Sequence, residues 1–199
     1  MSVGDVVIID SGGANLASLR FALERLGARS LVSADPQVVA AAPRVLLPGV
    51  GAAADAMARL RAADLVEPIR SLTQPLLGIC LGMQLLYAHT DEGDIAGLGL
   101  VAGTVRRIPH ATGRPVPHMG WNTCHALRPD PLLTGLGADE YFYFVHSYAA
   151  PVTAATSAAT DYGSPFAAVL QRDNFHGVQF HPERSGPAGA RVLRNFLGL

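Results

Sequence analysis

The stretch Pro75 to Gln84, P-L-L-G-I-C-L-G-M-Q, decides how this chain is read. An apolar strand-like run gives way to helical sequence at one cysteine, Cys80, with Gly78 and Gly82 flanking it at equal spacing. The pattern G-x-C-x-G is the thiol form of a nucleophile elbow, where a strand turns sharply into a helix. Such a corner strains the backbone, and flanking glycines remove the Cβ atoms that would collide as strand and helix close up. A thiol at the corner meets unpaired N–H groups and the positive end of the helix dipole, which favour the thiolate. The plainer alternative is a buried structural cysteine, the usual state of a free thiol in an apolar run.

Upstream of the elbow, V-V-I-I-D (Val6 to Asp10) reads as a buried parallel strand. A helix follows, with Leu16, Leu19, Leu23 and Leu26 at helical spacing, Asn15 placed to cap its start and Gly27 to end it. R-V-L-L (Arg44 to Leu47) is the next strand, a weaker one lies near Ser30 to Ser33, and alanine-rich helical sequence fills Ala52 to Leu72. Repeated β–α units predict an α/β fold, an open and mostly parallel twisted sheet with helices on both faces. Beyond His89, Leu100 to Ile108, Tyr141 to Tyr148, Ala167 to Gln171 and His176 to Phe180 read as strands between Gly/Pro turns. They add an antiparallel β-hairpin region, and Val192 to Leu199 closes as a helix.

A length of 199 residues suits a single domain spanning 1–199. With 49% apolar and 16% charged residues the chain is compact rather than disordered. A net charge of −1 with no lysine or arginine run argues against nucleic acid and acidic membrane surfaces, so the expected ligand is small. No window is long and apolar enough for a transmembrane span, and no signal peptide precedes the first strand. Only two cysteines, Cys80 and Cys124, occur, which fits a reducing, cytoplasmic setting.

Two further stretches bear on Cys80. L-L-P-G-V-G (Leu46 to Gly51) lies where a parallel strand opens onto the ligand crevice. It lacks the G-K-[ST] ending of a phosphate loop, so it is either an ordinary strand-to-helix turn or, beside the elbow, a second oxyanion donor after the N–H of Leu81. H-G-V-Q-F-H-P-E (His176 to Glu183) puts His181 and Glu183 at i and i+2, on one face of an extended segment, with Pro182 stiffening it. A carboxylate so placed can orient the imidazole while its other nitrogen faces Cys80, the logic of nucleophile, base and orienter. Alone, H-P-E would read as a surface ion pair; together with G-x-C-x-G it reads as catalytic.

G-I-C-L-G-M-Q, Q-F-H-P-E and L-P-G-V-G together resemble the class I glutamine amidotransferases of the triad type. More narrowly, P-H-M-G-W-N (Pro117 to Asn122), H-S-Y (His146 to Tyr148) and H-P-E-R-S-G (His181 to Gly186) resemble the glutaminase subunits of imidazole glycerol phosphate synthase. The resemblance runs essentially end to end. It implies that Cys80 attacks the glutamine side-chain amide, that His181 activates the thiol and protonates the departing ammonia, and that Glu183 orients His181. It further implies an oxyanion site at Val50, Gly51 and Leu81, and glutamine contacts at Gly51, Gln84, Ser147 and Tyr148.

No cofactor and no metal is expected. The resemblance also implies a heterodimer with a cyclase subunit folded as a (β/α)8 barrel, which turns a phosphorylated ribulosyl nucleotide and ammonia into imidazole glycerol phosphate and an aminoimidazole carboxamide ribotide. Asn15, Met119, Trp121 and Asn122 are then the interface candidates; from the residues alone Trp121 fits core or interface equally. D-S-G-G-A-N (Asp10 to Asn15) and the alanines after P-G-V-G depart from the family pattern, where aromatics are common. The competing readings are the glutaminase of a pyridoxal phosphate or anthranilate synthase, against which P-H-M-G-W-N argues, and a non-catalytic binding module of the same fold. His89, His110, His118 and Cys124 have no role in this reading. No C-x-x-C or H-E-x-x-H spacing supports a metal site among the seven histidines.

Overall fold

The computed structural model describes residues 5–10 and 16–199, so the expected cap Asn15 lies outside the described residues. Strands β1 (Val6–Ile9), β2 (Ser30–Ser33), β3 (Val45–Gly49) and β4 (Leu76–Cys80) run parallel in the order β2-β1-β3-β4. The inner three are buried at every position and the edge strand β2 only partly, which is why β2 carries the weaker apolar signal. They are joined through α1 (Leu16–Arg25), α2 (Pro36–Ala40), α3 (Ala53–Ala62) and α4 (Val66–Arg70). Strand alternation divides the core in two. Val7 and Ile9 belong to one cluster with Met57, Leu60 and Ile69 of α3 and α4. Val6 and Ile8 belong to the other, with Leu19 and Leu23 of α1 and Phe196 near the C-terminus.

The helical stretch expected over Ala52 to Leu72 is broken at Asp64, whose φ is +53°. There the Leu65 N–H reaches back to the Leu60 carbonyl at 2.9 Å, closing α3 with a Schellman-type cap on two buried leucines. The elbow helix α5 (Leu81–Leu85) is shorter than helical sequence alone suggests. Its last carbonyls are taken: Leu98 donates to Leu85 O at 2.7 Å, and Leu100 and Val101 both donate to Leu86 O at 2.9 Å.

The chain therefore turns into β5 (Tyr87–Thr90), followed by β6 (Ile95–Ala96) and β7 (Val101–Arg107). Next come β8 (His118–Thr123), β9 (His125–Ala126), β10 (Tyr141–His146) and β11 (Tyr148–Ala149). β11, β7, β5 and β6 form a small sheet, while β8 and β10 pair antiparallel as a separate ribbon. The last strands are β12 (Thr156–Asp161), β13 (Pro165–Arg172) and β14 (Phe175–Val178). β14 lies parallel beside β4, and β13, β12 and β9 continue the main sheet antiparallel. Much of the expected hairpin region is thus continuous with the parallel sheet. β8 and β12 escape a reading by strand propensity, because H-M-G-W-N-T and T-S-A-A-T-D lack runs of large β-branched residues. The closing helix α6 (Gly186–Leu197) starts well before Val192, with Pro187 in the first turn, where a missing N–H is harmless.

Candidate active site

Cys80 ends β4 and precedes α5 with φ +54° and ψ −112°, a left-handed backbone that an ordinary side chain avoids. The surroundings force this corner. A Cβ on Gly82 would lie 1.7 Å from the Leu47 carbonyl oxygen, and one on Gly78 would lie 2.7 Å from the Met83 nitrogen. Strand and helix therefore approach more closely than any side chain would permit.

β14 supplies the rest. Its register sets Val178 opposite Ile79, so the chain beyond it runs past the carboxyl end of β4 and brings His181 to Cys80. The His181 N–H bonds to Tyr143 O at 2.9 Å and fixes its approach. Nδ1 of His181 is 2.8 Å from Glu183 Oε1, and both side chains are only 8% exposed. The i, i+2 pair does not form on an extended strand as expected. His181 is extended, but Pro182–Arg184 make a single 3-10 turn that swings Glu183 back to the imidazole. Burial alone would disfavour the imidazolium, but Cys80 and Glu183, by hydrogen bonding and charge, hold His181 up at about 10. Among the described residues Nε2 has no other hydrogen-bond partner, which leaves it to the sulfur.

A cavity of about 430 Å³ opens over the thiol. Every expected oxyanion and substrate residue lines it: Val50, Gly51 and Leu81, then Gln84, Ser147 and Tyr148. Gly51 has φ +88°, a conformation suited to glycine that leaves its backbone free of a Cβ beside the cavity. Sequence reasoning missed two polar contributors. Glu92, past the end of β5, lines the same cavity, with Oε2 held at 2.9 Å by the Ala53 N–H at the start of α3. Gln179, fully buried between Val178 and Phe180, donates from Nε2 to Cys80 Sγ at 3.7 Å. Its Oε1 accepts from Gln84 Nε2 at 2.9 Å, and Gln84 Nε2 also donates to Tyr148 O at 2.8 Å. A glutamine within an otherwise apolar strand end was the signal for Gln179; nothing local marks Glu92.

Of the interface candidates, Asn15 lies outside the described residues. Met119 and Trp121 project from β8 at 62% and 56% exposure, so Trp121 is not a core residue. Trp121 meets Tyr143 edge-on at 5.9 Å, and the Arg184 guanidinium lies 4.9 Å over the Tyr143 ring. Asn122 turns inward instead, donating to Asp161 O at 3.0 Å. His89 bonds Asp94 at the surface, 3.0 Å apart. Cys124 accepts a bond from Thr160, and burial pushes its thiol up to about 12, away from the reactive thiolate.

A strained cysteine facing a buried His–Glu pair beneath a cleft admits thiol acyl transfer. The family model for class-I glutamine amidotransferases matches residues 7–198. The chain belongs to this family. Relatives are similar over almost the whole length: the imidazole glycerol phosphate synthase subunit HisH of Xanthomonas campestris pv. campestris is 57% identical, with 98% of each chain covered. HisH of Xylella fastidiosa is 53% identical, again with 98% of each covered. Among solved structures, a glutamine amidotransferase superposes with a TM-score of 0.76 at 20% identity, with 98% of each chain covered. PurLQS from Thermotoga maritima gives 0.69 at 17% identity, with 97% of each covered. These two share the fold of this chain.

Proposed function

We propose that the chain is the glutaminase subunit of an imidazole glycerol phosphate synthase, and that Cys80, His181 and Glu183 carry its reaction. The observation that carries this reading is the strained Cys80 corner facing the 2.8 Å His181–Glu183 pair across two parallel strands. Cys80 sulfur adds to the amide carbon of glutamine, and the oxyanion is met by N–H groups at Leu81 and the Val50–Gly51 turn. The His181 imidazolium gives its proton to the amide nitrogen, the C–N bond breaks, and ammonia leaves a glutamyl thioester. Water, deprotonated by His181, then displaces the sulfur and releases glutamate. Glu183 holds Nδ1 and stabilises the charged ring throughout.

Gly51, Gln84, Ser147 and Tyr148 hold the substrate. Both N–H groups of Gln84 are committed inside the protein, so it presents its carbonyl oxygen to the ligand. Glu92 places a carboxylate suited to the α-ammonium group. The ammonia passes to a cyclase subunit built as a (β/α)8 barrel, because free ammonia in neutral water becomes ammonium and is no nucleophile. Exposed Met119 and Trp121 face that partner, and the heterodimer works in the cytoplasm. Among the described residues no helix is long and apolar enough to cross a membrane.

Glutamate release from glutamine, measured with the cyclase partner and its nucleotide present, tests the reading. Cys80→Ala abolishes release while keeping partner binding; His181→Ala costs about 1,000-fold or more in kcat, and Glu183→Gln at least several-fold less than that. Glutamate release that survives Cys80→Ala would overturn the assignment.

A further inference from the structure

The histidines of the β8–β10 ribbon have no part in the triad. His118 and His146 sit opposite each other in the register, and both are buried, at 3% and 6% exposure. Their hydrogen bonds have only one consistent direction. His146 Nδ1 is 2.8 Å from Tyr148 O, and a carbonyl can only accept, so Nδ1 carries the hydrogen. Nε2 of the neutral ring must then accept, and its partner at 3.0 Å is His118 Nδ1. That makes His118 Nε2 an acceptor in turn, facing the Asn122 amide nitrogen at 3.5 Å. A proton added to either ring would set two N–H groups against each other in a buried place. Burial agrees, holding His118 down at about 4 and His146 at about 3.

The line ends in the cavity. Tyr148 O, the last acceptor, is also gripped by Gln84, which holds Gln179, which in turn touches the Cys80 sulfur. We propose that His146, oriented by His118, is a positioning residue that fixes the Ser147–Tyr148 backbone against the glutamine-binding cavity. This rests on the glutaminase reading of that cavity. In this role the imidazole matters through one N–H at one place, the Nδ1 position, and not through bulk or charge.

Amide side chains can separate these roles. The Nδ2 of asparagine falls where Nδ1 of histidine sits, whereas the longer glutamine places its amide nearer the Nε2 position. Glutamine hydrolysis is measured on the complex with the synthase partner for wild type, His146→Ala, His146→Asn and His146→Gln, with thermal unfolding of each. Loss of one hydrogen bond to a buried carbonyl predicts KM raised about tenfold in His146→Ala, with kcat within about threefold. His146→Asn returns KM to within about threefold of wild type, while His146→Gln behaves as the alanine variant. An unchanged KM in all three overturns the proposal, as does equal impairment of the asparagine and glutamine variants or failure of all three to fold. A wild-type complex that hydrolyses no glutamine overturns the parent reading instead.

Discussion

The parallel half of the molecule and the β8–β10 ribbon contribute to the same cavity in opposite ways. Around the elbow, the active geometry comes from crowding of backbone: Gly78 and Gly82 admit contacts no other residue could, and Cys80 is forced into a left-handed turn. In the ribbon it comes from side-chain polarity: two neutral imidazoles and an asparagine pass hydrogen bonds toward Tyr148. Crowding is rigid and intolerant of added atoms, whereas a hydrogen-bonded line tolerates any group that keeps the same donor in the same place.

Substitutions that strike one half and spare the other test this contrast. The largest effect belongs to Gly82→Ala. Its Cβ cannot coexist with the Leu47 carbonyl 1.7 Å away, so urea unfolding should lose about 3 kcal/mol or more. A loss under about 1 kcal/mol would show that the elbow can relax. Trp121→Ala acts on the ribbon's outer face, where it should weaken partner affinity by about tenfold or more but shift chain stability by no more than about 0.5 kcal/mol. Titration of partner binding beside a melt separates the two quantities.

The smallest effect is a pH dependence. His118 and His146 titrate near 4 and 3 when folded, against 6.5 as the ordinary value, so between these limits the unfolded chain binds more protons and stability falls as pH drops. Burial shifts His176 in the same direction. His181, held near 10, is protonated in both states below 6.5, so its stabilisation is fully present there and adds no slope; it is lost as pH rises from 6.5 toward 10. His146→Asn should therefore flatten the decline in urea stability from pH 7 to pH 5. An unaltered slope would mean that the ribbon histidines are not held neutral.

The two halves also differed in how openly the sequence declared them. β1, β3 and β4 are buried on both faces, so V-V-I-I, R-V-L-L and L-L-G-I-C advertised themselves as unbroken apolar runs. The elbow and H-P-E were legible because their chemistry depends on residues at short fixed spacing. The ribbon hid its purpose. His118 and His146 are paired by strand register and not by any local interval, and Asn122, which the resemblance offers as an interface residue, turns its side chain inward. Glu92 entered the cavity through a turn whose sequence, T-D-E-G-D, reads as plain surface loop. Even where the site residues were foreseen, the geometry differed, since a 3-10 turn and not a strand joins His181 to Glu183.

The placement of β14 beside β4 has one more consequence, for the chain during its own synthesis. Cys80 leaves the ribosome well before His181, which follows β14, a strand that must pair with β4 after β13 has turned back. Until that late, long-range contact forms, a nascent or truncated chain carries Cys80 without the His181–Glu183 pair that faces it. Under the proposed triad, amide hydrolysis begins only once the chain through Glu183 is in place, so copies that stop short of it cannot squander glutamine.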